Sequence, residues 1–243
     1  MAARLPILVS LPHAGLEVPP EVAGLLAIGP EELRQDSDEG AAEIYTPLAE
    51  LAVELVSTPI ARAIVDVNRA ATDRRPIGAI KGHTFWKKPV FRAPLPDALR
   101  ALLLAAYHAP YHARLASLAP RAALGLDCHT MAAEAPPVGP RPGQRRPRAC
   151  LGNGGVTLPG NWLRLMAEAL GRHLGTRVAL NRPFPGGHMT RSRPGGIPWV
   201  QLELSREPWL SLEQKAAAVR AALLEVAPRL TAGAPRPPPP RTG

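Results

Sequence analysis

The chain has 243 residues, 46% of them apolar, enough for one sizeable packed domain and too many for general disorder. The formal charge is +9, but many arginines sit in Pro- and Gly-rich stretches and only 4% of residues are aromatic, so a base-stacking nucleic-acid surface is not expected. No apolar run reaches the ~18 residues of a membrane span, and the N-terminus lacks a signal-peptide core, so the expected compartment is the cytoplasm.

Residues 7–11 form an apolar run that ends at Pro12-His13 and predicts a strand. Residues 40–56 are rich in Ala, Leu and Glu and predict a helix, bent or opened by Pro47. Residues 63–67 are β-branched and predict a second strand, ending at Asn68-Arg69. Residues 96–118 carry Leu99, Leu102, Leu103, Tyr107 and Tyr111 near helical spacing, with Pro110 as a break. A strand over 124–128 leads into His129. Residues 131–150 hold Pro, Gly and Arg in quantity and read as a long surface loop near the site, suited to a lid. A helix follows over 162–174, then a weak strand over 177–180. Residues 199–205 alternate, with Val200, Leu202 and Leu204 on one face and Gln201, Glu203 and Ser205 on the other. Ser211-Leu-Glu-Gln214 is a capping box that opens a helix to about residue 226. The chain turns Pro-rich after Pro228, so 1–230 is expected as one domain and 231–243 as a disordered tail. Strands alternating with helices predict a three-layer α/β fold, with a central, mostly parallel mixed sheet flanked by helices.

Polar residues fall at or just beyond the ends of the strand candidates: His13, Asn68-Arg69, Asp127 with His129, and Glu203. Ligands bind outside the carboxyl ends of strands in open α/β sheets, so parallel strands would bring these groups to one edge. Singly each has a plain alternative: a packed histidine, a salt-bridged strand glutamate, a surface ion pair of Arg69 with Asp66 or Asp73. Two imidazoles and a carboxylate together suit a catalytic divalent metal, which needs one further position open. The acid is open among Asp36, Asp38, Glu39 and Glu17, since an acidic run also suits a solvated helix start. Cys128 and Cys150 form no framework or Cys-x-x-Cys pair and read as buried thiols. Strand alternation turns Cys128 away from His129, which argues against a thiol mechanism.

The order of motifs resembles the N-formylglutamate amidohydrolase family. The stretches that carry it are Ser10-Leu-Pro-His-Ala-Gly15, Asp36-Ser-Asp-Glu-Gly-Ala41, Ile64-Val-Asp-Val-Asn-Arg69 and Tyr111-His112. Leu126-Asp-Cys-His-Thr130, Leu151-Gly-Asn153, Gly186-Gly-His-Met-Thr-Arg191 and Gln201-Leu-Glu-Leu-Ser205 follow, so it spans roughly residues 5 to 210.

The resemblance implies a fold similar to the zinc-dependent carboxypeptidases and aspartoacylases, and one zinc ion held by His13, Asp38 and His129. It prefers Asp38 to Asp36 and keeps Glu17 as second choice. It implies Glu203 as general base, and Asn68, Arg69, His188, Thr190 and Arg191 as substrate contacts. His112 is expected behind the site, while His83, His108 and His173 carry no assigned role. The implied reaction releases formate and L-glutamate from N-formyl-L-glutamate, a histidine-degradation step, with a small N-acyl amino acid as the partner. Three departures bear on the substrate: a short stretch between Arg69 and Pro96, Ser192-Arg-Pro-Gly-Gly196 where the family commonly has His-Tyr-Gly, and the Arg/Pro-rich 131–150 loop. Hydrolysis of a different small amide, and a basic binding protein on a decayed hydrolase fold, are the alternatives.

Overall fold

The computed structural model describes residues 4–155 and 157–232. Its centre is a six-stranded sheet in the order β2-β1-β3-β6-β4-β5. The strands are β1 (Leu5–Leu11), β2 (Ala52–Ser57), β3 (Leu124–Met131), β4 (Ala149–Gly152), β5 (Val178–Leu180) and β6 (Trp199–Ser205). Every neighbouring pair is parallel except β4 against β6, which makes the sheet mixed and mostly parallel, as expected.

Strand alternation divides the core. Ile7, Val9 and Leu11 of β1, Leu124, Leu126 and Cys128 of β3, and Val200, Leu202 and Leu204 of β6 all enter one cluster. That face is covered by α2 (Ala41–Tyr45), α5 (Gly160–Leu174) and α7 (Leu212–Ala232). The opposite face changes character along the strands. Near their starts Leu8 and Trp199 join a second cluster with α3 (Asp97–Leu103) and α4 (Ala109–Leu118). Further along, the same face presents Ser10, Asp127, His129, Gln201 and Glu203, all buried. Each apolar side chain sealed this way contributes about 1.5–3 kcal/mol, so the apolar layers hold the polar patch at a fixed place. Gly125 serves that packing: a Cβ there would meet the Trp199 ring at 2.1 Å.

Four elements differ from the sequence reading. The 40–56 helix is only α2, followed by a 3-10 turn at Thr46–Glu50 with Pro47 in its first turn, and its end is β2. Val53 and Val56 pack better on a pleated surface beside β1 than in a helix. Residues 63–67 are not a strand. They turn through Ile64 N–H to Ala61 O (2.9 Å) and touch Ile80 by one isolated bridge. Their β-branched side chains are buried because the segment threads the second cluster. The 131–150 stretch ends in β4, which is fully buried between β6 and β5. Helix α7 runs past 226, through Pro228, to Ala232. Of the expected disordered tail, residues 233–243 lie outside the described residues.

Helix 96–118 follows one path as α3 and α4, joined by a π-turn at Leu104–His108 that widens the backbone just ahead of Pro110. The capping box holds: Ser211 N–H donates to Gln214 Oε1 (2.8 Å) and Gln214 N–H to Ser211 Oγ (3.2 Å). The short helices α1 (Pro30–Asp36) and α6 (His188–Ser192) were not anticipated. Both deliver residues to the site.

Candidate active site

The polar patch opens into a cleft of about 400 Å³, lined by residues from strand ends and loops on one edge of the sheet. His13 follows β1 in a turn, and its carbonyl accepts the Asp38 N–H at 3.1 Å. That bond joins the loop after α1 to the end of β1. His129 lies within β3, where Asp127 shares its face and Cys128 points into the opposite cluster. Register places Glu203 of β6 directly beside His129.

The three expected ligands come together. Donor atoms of His13, Asp38 and His129 lie within 4.8 Å of one another, and all three residues are buried. Asp38 Oδ2 is 2.8 Å from His129 Nδ1 and 3.4 Å from His13 Nδ1. The far nitrogen of each ring meets a second buried aspartate: His13 Nε2 with Asp66 Oδ1 at 2.8 Å, His129 Nε2 with Asp127 Oδ2 at 3.0 Å. Each Nε2–H is thereby held by a carboxylate, and each Nδ1 faces Asp38. Imidazoles that bind metals are ordinarily oriented in this way by an outer carboxylate. His13 Nδ1 is buried with no hydrogen-bond partner. An orphaned ring nitrogen beside a carboxylate and a second imidazole is a donor set that fits a divalent ion.

The other acids separate cleanly. Asp36 lies against the fully buried Lys81 (2.6 Å) and accepts the Phe85 N–H (2.8 Å), while Glu17 is exposed and joins an isolated bridge to Ile60. Neither reaches the His13–His129 pair. Asp127 is tied down by Ser10 Oγ at 2.9 Å and Asn68 Nδ2 at 3.0 Å.

Arg62 has no counterpart among the sequence candidates. Its Nη1 donates to Asp38 Oδ1 (2.8 Å), and its Nη2 lies 3.5 Å from Asp66 Oδ2. Burial works against its charge, yet Asp66 and Asp38 hold its pKa above the usual guanidinium range. The same guanidinium, with His13, keeps Asp38 and Asp66 ionised well below the usual carboxylate range despite their burial. Arg206 donates to the carbonyls of Gln35 and Ser37 and steadies the loop carrying Asp38. The i,i+4 spacing of Arg62 and Asp66 is its only local signal, and such a pair normally reads as a surface contact.

Glu203 is buried beside this cluster. Burial pushes its carboxyl up to about 7, with the Asp38 charge adding to the shift, while His129 and the Gln201 amide oppose it. Gln201 Nε2 donates to Glu203 Oε1 at 2.7 Å and fixes that oxygen. A carboxyl near neutrality in a cleft has the acidity of a general acid–base group.

The expected substrate contacts divide. Arg69, His188 and Arg191 line the cleft. Asn68 also lines it, but its amide is engaged within the protein: Nδ2 donates to Asp127 Oδ2 (3.0 Å), and Oδ1 accepts the Met189 N–H (2.8 Å). Gly187 allows this, since a Cβ there would meet Asn68 Nδ2 at 2.7 Å. Thr190 is fully buried behind the wall and does not line the cleft. Arg69 makes no ion pair with Asp66 or Asp73; its Nε donates to Ile77 O (3.2 Å). His112 stands behind the site as expected, donating from Nε2 to Val67 O (2.9 Å), with its ring 5.5 Å from that of His188. Burial lowers the His188 pKa, with His108 and Arg69 adding to the shift, so the ring is neutral at pH 7. His108 supports the Arg69 carbonyl at 2.8 Å. His83 meets the Thr84 carbonyl and His173 meets Glu225, so neither enters the cleft. Cys128 and Cys150 are free and buried.

A family model of N-formylglutamate amidohydrolase matches residues 5–209. An N-formylglutamate deformylase of Pseudomonas aeruginosa is 31% identical, over 91% of this chain and 88% of the relative. One from Pseudomonas putida is 30% identical, over 85% of this chain and 82% of the relative. Among solved structures, an N-formylglutamate amidohydrolase from Ralstonia eutropha superposes with a TM-score of 0.76 at 21% identity, covering 94% of both chains. A gene product of Agrobacterium tumefaciens reaches a TM-score of 0.70, again at 21% identity, covering 95% of this chain and 91% of that one. Motifs, sheet order and the match over most of its length agree: this chain belongs to the N-formylglutamate amidohydrolase family.

Proposed function

We propose that the chain hydrolyses the formyl amide of N-formyl-L-glutamate, or of a closely related N-acyl amino acid, using one divalent metal ion of the zinc type. The observation that carries this reading is the buried meeting of His13, Asp38 and His129 within 4.8 Å, with Glu203 in register beside His129. Family membership supports the substrate class. When bound by those three residues, the ion would polarise the amide carbonyl and acidify the water that adds to it.

The remaining work falls to the chain's own groups. Arg69 fixes the α-carboxylate of the substrate, a task suited to a planar guanidinium that can donate two parallel hydrogen bonds. Asn68 holds Asp127, the carboxylate behind His129, and so ties the segment that carries Arg69 to β3. Glu203 takes a proton from the water as its oxygen bonds to the formyl carbon. It returns that proton to the amide nitrogen as the C–N bond breaks, giving formate and the free amine. His188 donates a hydrogen bond to the oxygen on which charge develops. Arg191 lines the outer wall, and Thr190 packs behind it. We further propose this reaction as the last step of a histidine-degradation route in the cytoplasm.

Formate release from a panel of N-formyl and N-acetyl amino acids tests the reading. N-formyl-L-glutamate is expected among the fastest substrates, with activity lost to a chelator and restored by zinc. Turnover restricted to other acyl groups would overturn the formyl assignment. Salt-sensitive polyanion binding without any turnover would favour a decayed hydrolase acting as a binding protein.

A further inference from the structure

The 132–148 segment, expected only as a loop, is a hairpin folded over the cleft. Glu134 bridges Arg145, Ala135 N–H donates to Gln144 O (2.9 Å), and Arg146 N–H donates to Ala133 O (2.8 Å). Its tip is fastened to the far wall by Val138 N–H to Phe85 O (3.0 Å), and its base by Arg145 to Glu207 (2.6 Å). This brings Arg146 into the cleft lining, its guanidinium 4.9 Å from the centre of the Phe184 ring.

The guanidinium groups of the lining differ in what they already hold. Arg62 is paired with Asp38 and Asp66, Arg75 with Asp73, and Arg206 with loop carbonyls. Arg146 has no ion pair among the described residues, and its Nε is buried without a hydrogen-bond partner. A half-buried, unpaired guanidinium is costly to keep unless a ligand completes it. Arg69 and Arg191 are likewise without an ion pair among the described residues; Arg191 is exposed on α6, and Arg69 stands beside Asn68, close to the metal-binding group, and is the one assigned above to the α-carboxylate. Arg146 enters from the hairpin, against Phe184, where burial works against its charge and Glu203 offsets part of that cost.

Resting on the amide-hydrolase reading above, we propose that Arg146 binds the side-chain carboxylate of the substrate and so selects N-acyl dicarboxylic amino acids over neutral ones. The Phe184 ring holds the guanidinium plane, and the hairpin sets its reach. Arg146 is then a specificity residue supplied by one of the three segments in which this chain departs from its family's usual pattern.

Formate release by wild type, Arg146→Gln and Arg146→Lys, on N-formyl-L-glutamate and its neutral isostere N-formyl-L-glutamine, decides the matter. A second readout is binding of L-glutamate by titration calorimetry. For Arg146→Gln, KM for N-formylglutamate is expected to rise roughly 10- to 100-fold with kcat little changed, and glutamate binding to weaken alike. Turnover of N-formylglutamine should be unaffected, so the preference between the two collapses, while Arg146→Lys keeps part of it. Equal loss of kcat on both substrates would overturn the proposal, since a structural or oxyanion role acts on both. A wild type that hydrolyses both equally well would overturn it and leave the hydrolase reading standing. A wild type that releases formate from neither would overturn the proposal together with the formyl assignment.

Discussion

Two aspartates decide what the two histidines can do. Asp66 and Asp127 each hold an Nε2, so both rings turn Nδ1 toward Asp38. Removing one such outer carboxylate typically costs 10–100-fold in metal affinity. Asp66→Asn should weaken zinc binding by about that factor in competition with a chelator, with the fold intact by circular dichroism; unchanged affinity would mean His13 needs no orienting partner.

In the proposed reaction Glu203 carries the proton transfer, so activity there requires its ionised form. Its pKa is raised to about 7, and a bound cation can only lower it. The pH profile of kcat/KM should therefore have an ascending limb at or below pH 7, with activity lost as Glu203 gains a proton. Glu203→Gln should lower kcat roughly 10²–10⁴-fold and abolish that limb while metal content is unchanged. A persistent limb in the variant would move the base elsewhere.

His13, His129 and Glu203 were legible in the sequence because each sits at or near the end of an apolar strand, a local pattern. Asp38 was legible only through the motif resemblance. Arg62 and Arg146 were not, because their place in the cleft comes from where distant segments fold. Arg62 lies in the 58–96 stretch that runs without helix or strand, and Arg146 in a Pro-rich hairpin.

At the scale of elements, β3 and β6 set the site. Their pairing aligns Asp127 with Gln201 and His129 with Glu203. At their start Gly125 makes room for Trp199, the largest fully buried side chain. Gly125→Ala forces the ring away and should cost about 1–3 kcal/mol of unfolding free energy, read in a denaturant titration. No loss of stability would show that the strand pair tolerates a shift, and that its register is a weaker constraint than the packing indicates.

Sequence periodicity found β6 to the residue, since apolar and polar positions alternate there from Val200 to Ser205. It misassigned β2, where Ala and Glu mimic a helix and only the neighbouring β1 selects the strand. It missed β4, which has four residues and follows the Arg/Pro hairpin. It took 63–67 for a strand because a buried irregular segment needs the same β-branched residues as a buried strand.

Across the whole molecule, one sheet face is apolar throughout and the other turns polar at one end. That asymmetry gathers groups from β3, β6, the turn after β1 and the surrounding loops at a single edge. The formal charge is +9, and arginines line the cleft, a balance that favours the approach of anions over cations. No helix among the described residues is long and apolar enough to cross a membrane.

The most direct test of the central claim is the metal content of the purified protein, by mass spectrometry of the elements, for wild type and for a folded Asp38→Ala, His129→Ala double variant. The account predicts one divalent ion per wild-type chain and none in the variant. An active wild type free of metal, or an ion retained when both ligands are gone, would contradict it.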